Sequence, residues 1–298
     1  MTRIALNTVK MVALLLLAPL FGVTVGSSQT VLPVIMQLGD DAKRLHRGTG
    51  IIGMNDVNND GWPDLAVGVN ALRQTYIYFG GPGILDTTAD VRLRGAGTMV
   101  KGDINGDGNM DYVLSNYDTV NDTLYVYLGK APSPLKLDTV PSYKIDPEGP
   151  LDDFGESGDR GGIAIGDVNR DGLADLVVGA QRWGLDQGKT YIFLGKESSP
   201  LTPDLVASGE GTEELFGFCI GVGDINGDGY DDLAISSNNR RTAPTIDIWY
   251  TGPGFVFQRN NYAQRFTFDT YSPAVNFTLV DFNADGKADL SYSDGYRT

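Results

Sequence analysis

Five times along the chain the same nine-residue pattern returns, Asp-x-Asn-x-Asp-Gly-x-x-Asp, so the fold must accommodate five matching acidic turns. Positions 1, 3, 5, 7 and 9 are Asp56, Asn58, Asp60, Trp62 and Asp64 in the first copy, and Asp103, Asn105, Asp107, Asn109 and Asp111 in the second. The third copy has Asp167, Asn169, Asp171, Leu173 and Asp175, and the fourth Asp224, Asn226, Asp228, Tyr230 and Asp232. The fifth has Asp281, Asn283, Asp285, Lys287 and Asp289. Calcium is a hard cation that takes six to eight oxygens, and a short loop converges them if side chains at positions 1, 3 and 5 point inward while the backbone turns sharply. Position 6 is glycine in every copy (Gly61, Gly108, Gly172, Gly229 and Gly286), which permits that turn. Position 7 varies in type, as expected where only its backbone carbonyl is needed, and position 9 is always aspartate. Asn, Asp and Gly also build plain turns. Five intact copies favour the metal loop, and these residues are the predicted ligands of about five structural Ca2+ ions.

The residues after each loop separate it from an EF-hand, which needs a bidentate Glu at position 12 and a helix on either side. Position 12 is Val67, Leu114, Val178, Ile235 and Tyr292, within short apolar runs such as Leu176-Val177-Val178 that suit a buried strand. Each loop is therefore predicted to sit on a strand-to-strand turn. Acidic repeats stapled by disulfides are excluded, because Cys219 is the sole cysteine; in its apolar strand it reads as a buried free thiol.

A second landmark lies downstream of the loop: an aromatic strand ending in glycine, as in Thr75-Tyr76-Ile77-Tyr78-Phe79-Gly80, Leu124 to Gly129 and Thr190 to Gly195. Further strands flank it, for example Ala89 to Gly95 after it and Gly162 to Gly166 running into the third loop. Four short strands per unit is the pattern of a propeller blade. First-aspartate spacings of 47, 64, 57 and 57 residues suit such a unit. The predicted class is all-β, a β-propeller or partial propeller of about five four-stranded blades over 29–298, with the last apparently incomplete.

Phe154-Gly155 and Phe216-Gly217 stand before the third and fourth loops, and Gly179-Ala180 comes after the third. The unit Phe-Gly…Gly-Asp-x-Asn-x-Asp-Gly…Asp-Leu…Val-Gly resembles the FG-GAP repeat of integrin α-subunit propellers and their bacterial relatives. Copies one, two and five lack the Phe-Gly dipeptide. The resemblance implies structural calcium on the blade edges, opposite the ligand-binding face. It also implies seven blades, which at this period need roughly 390 residues. The chain has 298, so an open or barely closed arc is expected, the alternative being closure by a strand from 31–38.

At the N-terminus, Arg3 and Lys10 precede an apolar run from Met11 to Val25, and the small residues Gly26-Ser27-Ser28 come next. The run is short of the ~20 residues of a spanning helix, and 1–28 reads as a secretory signal peptide, with no stable membrane insertion after cleavage. Secretion, or display at the cell surface, suits calcium loops, which work at the high calcium of the extracellular space. The net charge of −15 disfavours nucleic acid as a partner. Much of that charge belongs to the loops, each of which carries aspartate at positions 1, 5 and 9.

Catalytic constellations are sparse. His46 is the sole histidine, and it lies in the basic segment Lys43 to Arg47, where it reads as a surface residue. No catalytic residue is assigned. Trp183 is the aromatic outside the regular strand pattern, and packing against a neighbouring blade is its simpler role. The sequence thus reads as a secreted calcium-binding binding or adhesion module for an extracellular protein or glycan. The alternative is a calcium-dependent polysaccharide-degrading lyase or hydrolase on the same scaffold.

Overall fold

A computed structural model describes residues 51–69, 72–82, 88–116, 122–130, 137–155, 162–197, 201–238, 242–269 and 276–293. The signal-peptide segment, His46 and the closing strand expected at 31–38 lie outside the described residues.

The described strands form successive antiparallel sheets, four of them four-stranded. The first contains β1 (Ile51–Gly53), β2 (Leu65–Val69), β3 (Gln74–Tyr78) and β4 (Val91–Arg94). The second contains β5 (Met99–Gly102), β6 (Asp111–Asn116), β7 (Thr123–Tyr127) and β8 (Tyr143–Ile145). The third contains β9 (Ile163–Gly166), β10 (Asp175–Ala180), β11 (Lys189–Phe193) and β12 (Leu205–Ser208). The fourth contains β13 (Phe216–Gly223), β14 (Asp232–Ser237), β15 (Thr245–Trp249) and β16 (Gln264–Thr267). In the fifth, β17 (Asn276–Val280) pairs with β18 (Asp289–Ser293). Strands pair in chain order, and every acidic loop joins the first strand of a sheet to its second. This is a β-propeller architecture, and its blades match the predicted four-strand unit.

The second strands show why the sheets stack. All six residues of β6, of β10 and of β14 are buried, so both faces of each strand are covered. Side chains alternate along a strand, and the cores obey that alternation. Tyr112 and Leu114 of β6 pack with Ala66, Ile77 and Leu93 of the first sheet, while Val113 between them packs with Leu176, Val178 and Phe193 of the third. Val177 of β10 packs with Leu233, Ile235 and Trp249 of the fourth sheet. The three largest apolar cores thus lie between two sheets each, and a one-residue slip of a shared second strand would place its residues in the wrong core. Consecutive sheets also touch through their first strands, β5 against β9, β9 against β13 and β13 against β17. Cys219 is a buried free thiol in β13, as expected.

The two Phe-Gly dipeptides wedge neighbouring elements together. Phe154 and Phe216 are buried and meet Tyr191 and Trp249 edge-on, with ring centroids 5.5 and 5.9 Å apart. The next residue in each case is left-handed, with φ of +71° at Gly155 and +86° at Gly217. Gly217 lies so close to β10 that a Cβ placed on Gly179 would sit 2.1 Å from the Gly217 carbonyl oxygen.

That contact sets a test of sheet packing. Gly179→Ala should destabilise the protein by about 1–3 kcal/mol, because backbone cannot yield as a flexible side chain can. Gly53→Ala meets nothing within 4 Å and should change stability by less than ~0.5 kcal/mol. Urea unfolding of both variants decides it, and equal losses would mean the close approach is unimportant.

Candidate metal loops

The five loops repeat one hydrogen-bond pattern. The position-1 carboxylate accepts the position-6 glycine N–H at 2.8 Å in the first, second and fourth loops and 2.9 Å in the third and fifth. The position-3 amide oxygen accepts the position-5 N–H at 2.8–3.2 Å. The position-5 carboxylate accepts the position-7 N–H at 2.8–2.9 Å. Donors from the backbone therefore gather the three side chains onto the turn. Position 6 has φ between +81° and +92°, as its glycine anticipates. Position 4, which the sequence pattern does not single out, is left-handed too, with φ of 62° at Asn59, 59° at Arg170 and 60° at Ala284. In the second and fourth loops position 4 is glycine, with φ of 75° at Gly106 and 83° at Gly227, so Gly and Asn carry a signal there that Arg170 and Ala284 lack.

Position 9 differs in kind. Asp64 is 4% exposed, and Asp111, Asp175 and Asp232 are fully buried at the start of their second strands. One Asp111 oxygen accepts Ile104 N–H at 2.9 Å, closing the loop, and the other accepts Gly129 N–H at 2.7 Å, from the end of the aromatic strand. Asp175 does the same with Val168 and Gly195, and Asp64 with Val57 and Gly80. Asp232 takes Ile225, Asn226 and Thr251. Asp289 accepts Phe282 N–H at 3.0 Å. The glycine ending the aromatic strand is explained by the same junction. A Cβ on Gly80 would lie 2.1 Å from the Pro63 carbonyl oxygen, and one on Gly129 2.6 Å from that of Met110.

Burial pushes the Asp111 and Asp175 carboxyls up to about 6, against the pull of their backbone donors, and nearby loop aspartates push the same way. Burial raises Asp64 and Asp232 as well. A cation among these carboxylates would relieve that repulsion.

The loops are also joined to one another. The position-1 carbonyl of one loop accepts the position-8 N–H of the next: Asp103 from Ala174 at 2.8 Å, Asp167 from Asp231 at 3.2 Å, and Asp224 from Ala288 at 2.7 Å. Position-7 side chains reach back across the same junctions. Leu173 approaches Gly106, the Tyr230 ring lies under the Arg170 guanidinium at 5.4 Å, and Lys287 approaches Gly227. Position 7 therefore does more than offer a carbonyl, which corrects the expectation that its side chain is idle. Loops two to five, at one end of the sheets, form a connected row.

The donors at positions 1, 3, 5 and 9, with the position-7 carbonyl, are all oxygen, which fits a hard divalent cation. Among the described residues no three His, Cys, Asp or Glu side chains are grouped closely enough to hold a metal by themselves. The Asn amide oxygen and the carbonyl would have to complete each set. A carboxylate oxygen has two lone pairs, so position 9 can serve backbone and cation together.

Two other charged clusters are closed. Arg259 donates to Glu214 and Asp247 at 2.6 Å each, and Arg265 also bonds Asp247. Lys189 pairs with Glu148 at 2.7 Å and lies 4.5 Å from the Trp183 ring centre, while Trp183 Nε1 donates to Glu148. Trp183 is thus engaged within its own neighbourhood, in line with the packing role.

The model of the FG-GAP repeat matches residues 161–193 and 216–243, and that of an FG-GAP-like repeat matches 56–114. The phosphatidylinositol-glycan-specific phospholipase D of Rattus norvegicus is 29% identical over 213 residues, covering 65% of this chain and 23% of that protein. Integrin alpha-PS5 of Drosophila melanogaster is 32% identical over 159 residues, covering 47% and 14%. Human integrin alpha-6 is 28% identical over 103 residues, covering 33% and 9%. The chain thus spans about a quarter or less of the length of these relatives. Among solved structures, a Bacillus licheniformis rhamnogalacturonan lyase aligns over 83% of this chain and 57% of its own at 10% identity and a TM-score of 0.43. A Bacteroides thetaiotaomicron endo-arabinase aligns over 85% and 92% at 11% identity and 0.41.

The position-9 contacts set a test in metal-free buffer. Asp175→Ala strands two buried N–H donors and should cost about 2 kcal/mol or more. Asp171→Ala, at the exposed position 5, should cost less than ~1 kcal/mol. Equal losses in denaturant unfolding would refute the pinning role of position 9.

Proposed function

Since the chain is an FG-GAP-repeat propeller protein similar to the integrin α-subunits, we propose that it is a secreted binding module for an extracellular protein or glycan, stabilised by calcium in its acidic loops. The observation that carries this reading is the row of like-built loops at one end of the sheets, linked position 1 to position 8. Cations there would neutralise the loop carboxylates and cross-link each turn, leaving the opposite end of the sheets for recognition. Asp56, Asp103, Asp167, Asp224 and Asp281, with their partners at positions 3, 5, 7 and 9, would hold them. The described residues contain no helix long and apolar enough to cross a membrane. The segment 1–28 supplies the export signal on this reading.

Each site adds ~1.4 kcal/mol when free calcium stands tenfold above its dissociation constant. Five together would contribute about 7 kcal/mol, comparable with the whole stability of an ordinary domain. The mature chain, 29–298, should therefore carry about five calcium ions by elemental analysis, and its melting temperature should drop sharply on chelation. An unchanged melt with no bound metal would remove the calcium reading and leave the loops as turns.

A further inference from the structure

Three arginines gather at the end of the first sheet remote from its acidic loop. Leu72, Arg73 and Gln74 from the β2–β3 turn, Arg92, Leu93 and Arg94 from β4, and Thr139 from the β7–β8 connection line an open cavity of about 430 Å³. The sequence of β4 creates the charge pattern. Val91 and Leu93 are buried and anchor the strand, so Arg92 and Arg94 fall on its exposed face. Two residues of strand separate them, roughly 7 Å. Opposite them on β3 stand Tyr76, paired with Arg92, and Gln74, paired with Arg94.

Both guanidinium groups rest on aromatic rings. Arg92 lies 5.5 Å from the Tyr76 ring centre and Arg94 5.1 Å from that of Tyr125. Stacking occupies the flat face of the guanidinium and leaves its in-plane N–H donors for another partner. Among the described residues no carboxylate forms an ion pair with Arg92 or Arg94. Lys144 on β8, 6.0 Å from the Tyr125 ring, extends the basic surface. Two acidic side chains lie near in sequence: Asp90, two residues before Arg92, accepts Phe79 N–H at 2.8 Å, and Asp138, beside Thr139, is paired with Lys130 at 2.6 Å. In a protein of net charge −15, the adjacent Arg92 and Arg94 make a local patch of positive charge.

We propose that this groove binds an anionic polysaccharide, with Arg92 and Arg94 gripping successive acidic groups along the chain and Arg73 flanking them. The proposal rests on the binding-module reading and narrows it to one ligand class and one site. A planar guanidinium fork matches the oxygens of carboxylate or sulfate. An extended polyanion uses an open groove with two arginines in line, whereas a lone small anion needs a closed pocket. A peptide draws its affinity from apolar anchors buried in pockets, and Leu72 is the one exposed apolar residue of this lining, beside the Gln74 amide and the Thr139 hydroxyl. Those polar groups suit the hydroxyls of a sugar chain.

The test is calorimetric titration of the calcium-equilibrated chain with oligogalacturonate, dextran sulfate, neutral dextran and poly-L-glutamate. At least one acidic glycan should bind, more weakly as salt is raised, and neutral dextran should not. The double variant Arg92→Gln/Arg94→Gln should lose about tenfold or more in affinity, the scale of one charge-assisted hydrogen bond. Arg92→Lys/Arg94→Lys, which keeps the charge and loses the fork, should fall between. Unchanged melting temperatures would show the variants folded; if the double variant melts low, the single Gln variants carry the comparison. The two acidic glycans distinguish carboxylate from sulfate recognition. Failure of both to bind, equal binding by the double Gln variant, or tighter binding of poly-L-glutamate would overturn the proposal. Neutral dextran or a protein ligand bound equally by wild type and variant would sink this site while leaving the binding-module reading intact.

Discussion

A buried carboxylate bonded to two stretches of backbone underlies the rest of the structure. An unpartnered buried charge is expensive, and the position-9 aspartate avoids that cost by accepting N–H groups from its own loop and from the end of the aromatic strand. One side chain thereby sets where the loop closes and where the third strand ends. In the first three blades glycine stands at that strand end because the position-8 carbonyl occupies the space a Cβ would need, whereas Thr251 takes the same place in the fourth. Loop and blade are a single unit for this reason, and a repeat that kept the turn without the ninth residue would lose the register of its sheet.

Stability in this arrangement is a matter between neighbours. The three largest apolar cores are each shared by two consecutive sheets, and each described loop-to-loop bond joins one loop to the next. Such systems behave as chains of nearest-neighbour interfaces. The described strands of the fifth sheet illustrate the converse. β17 and β18 contain no fully buried residue, and Phe282 and Tyr292 are 63% and 56% exposed. Asp289, with one backbone donor, is accordingly less buried than its counterparts.

The two ends of the first sheet differ in chemistry. Carboxylates and amide oxygens crowd the loop end, while stacked arginines on β4 occupy the far end of the first sheet. On the proposed reading, such a separation would let metal-dependent stability and partner recognition use different surfaces. It also means that net charge is a poor guide to partners, since a chain of net charge −15 still presents Arg92 and Arg94 side by side.

The blade unit was legible in the sequence because its cause is local: a nine-residue turn, alternating apolar residues and a strand-ending glycine are all written within one repeat. The buried thiol of Cys219 and the strand identity of Leu176 to Val178 came from the same local pattern. Left-handed position 4 was only partly legible: Gly106, Gly227 and Asn59 are residue types that favour positive φ, whereas Arg170 and Ala284 are not. The second role of position 7 was not legible, since Tyr230 meets an Arg170 that belongs to the preceding loop. Sequence alone determined the repeating unit and its oxygen-rich turn, because short-range backbone geometry fixes both. Tertiary structure alone decided that the loops join in a row and that Arg92 and Arg94 share a groove with Arg73, because those relations depend on how separate strands and sheets pack.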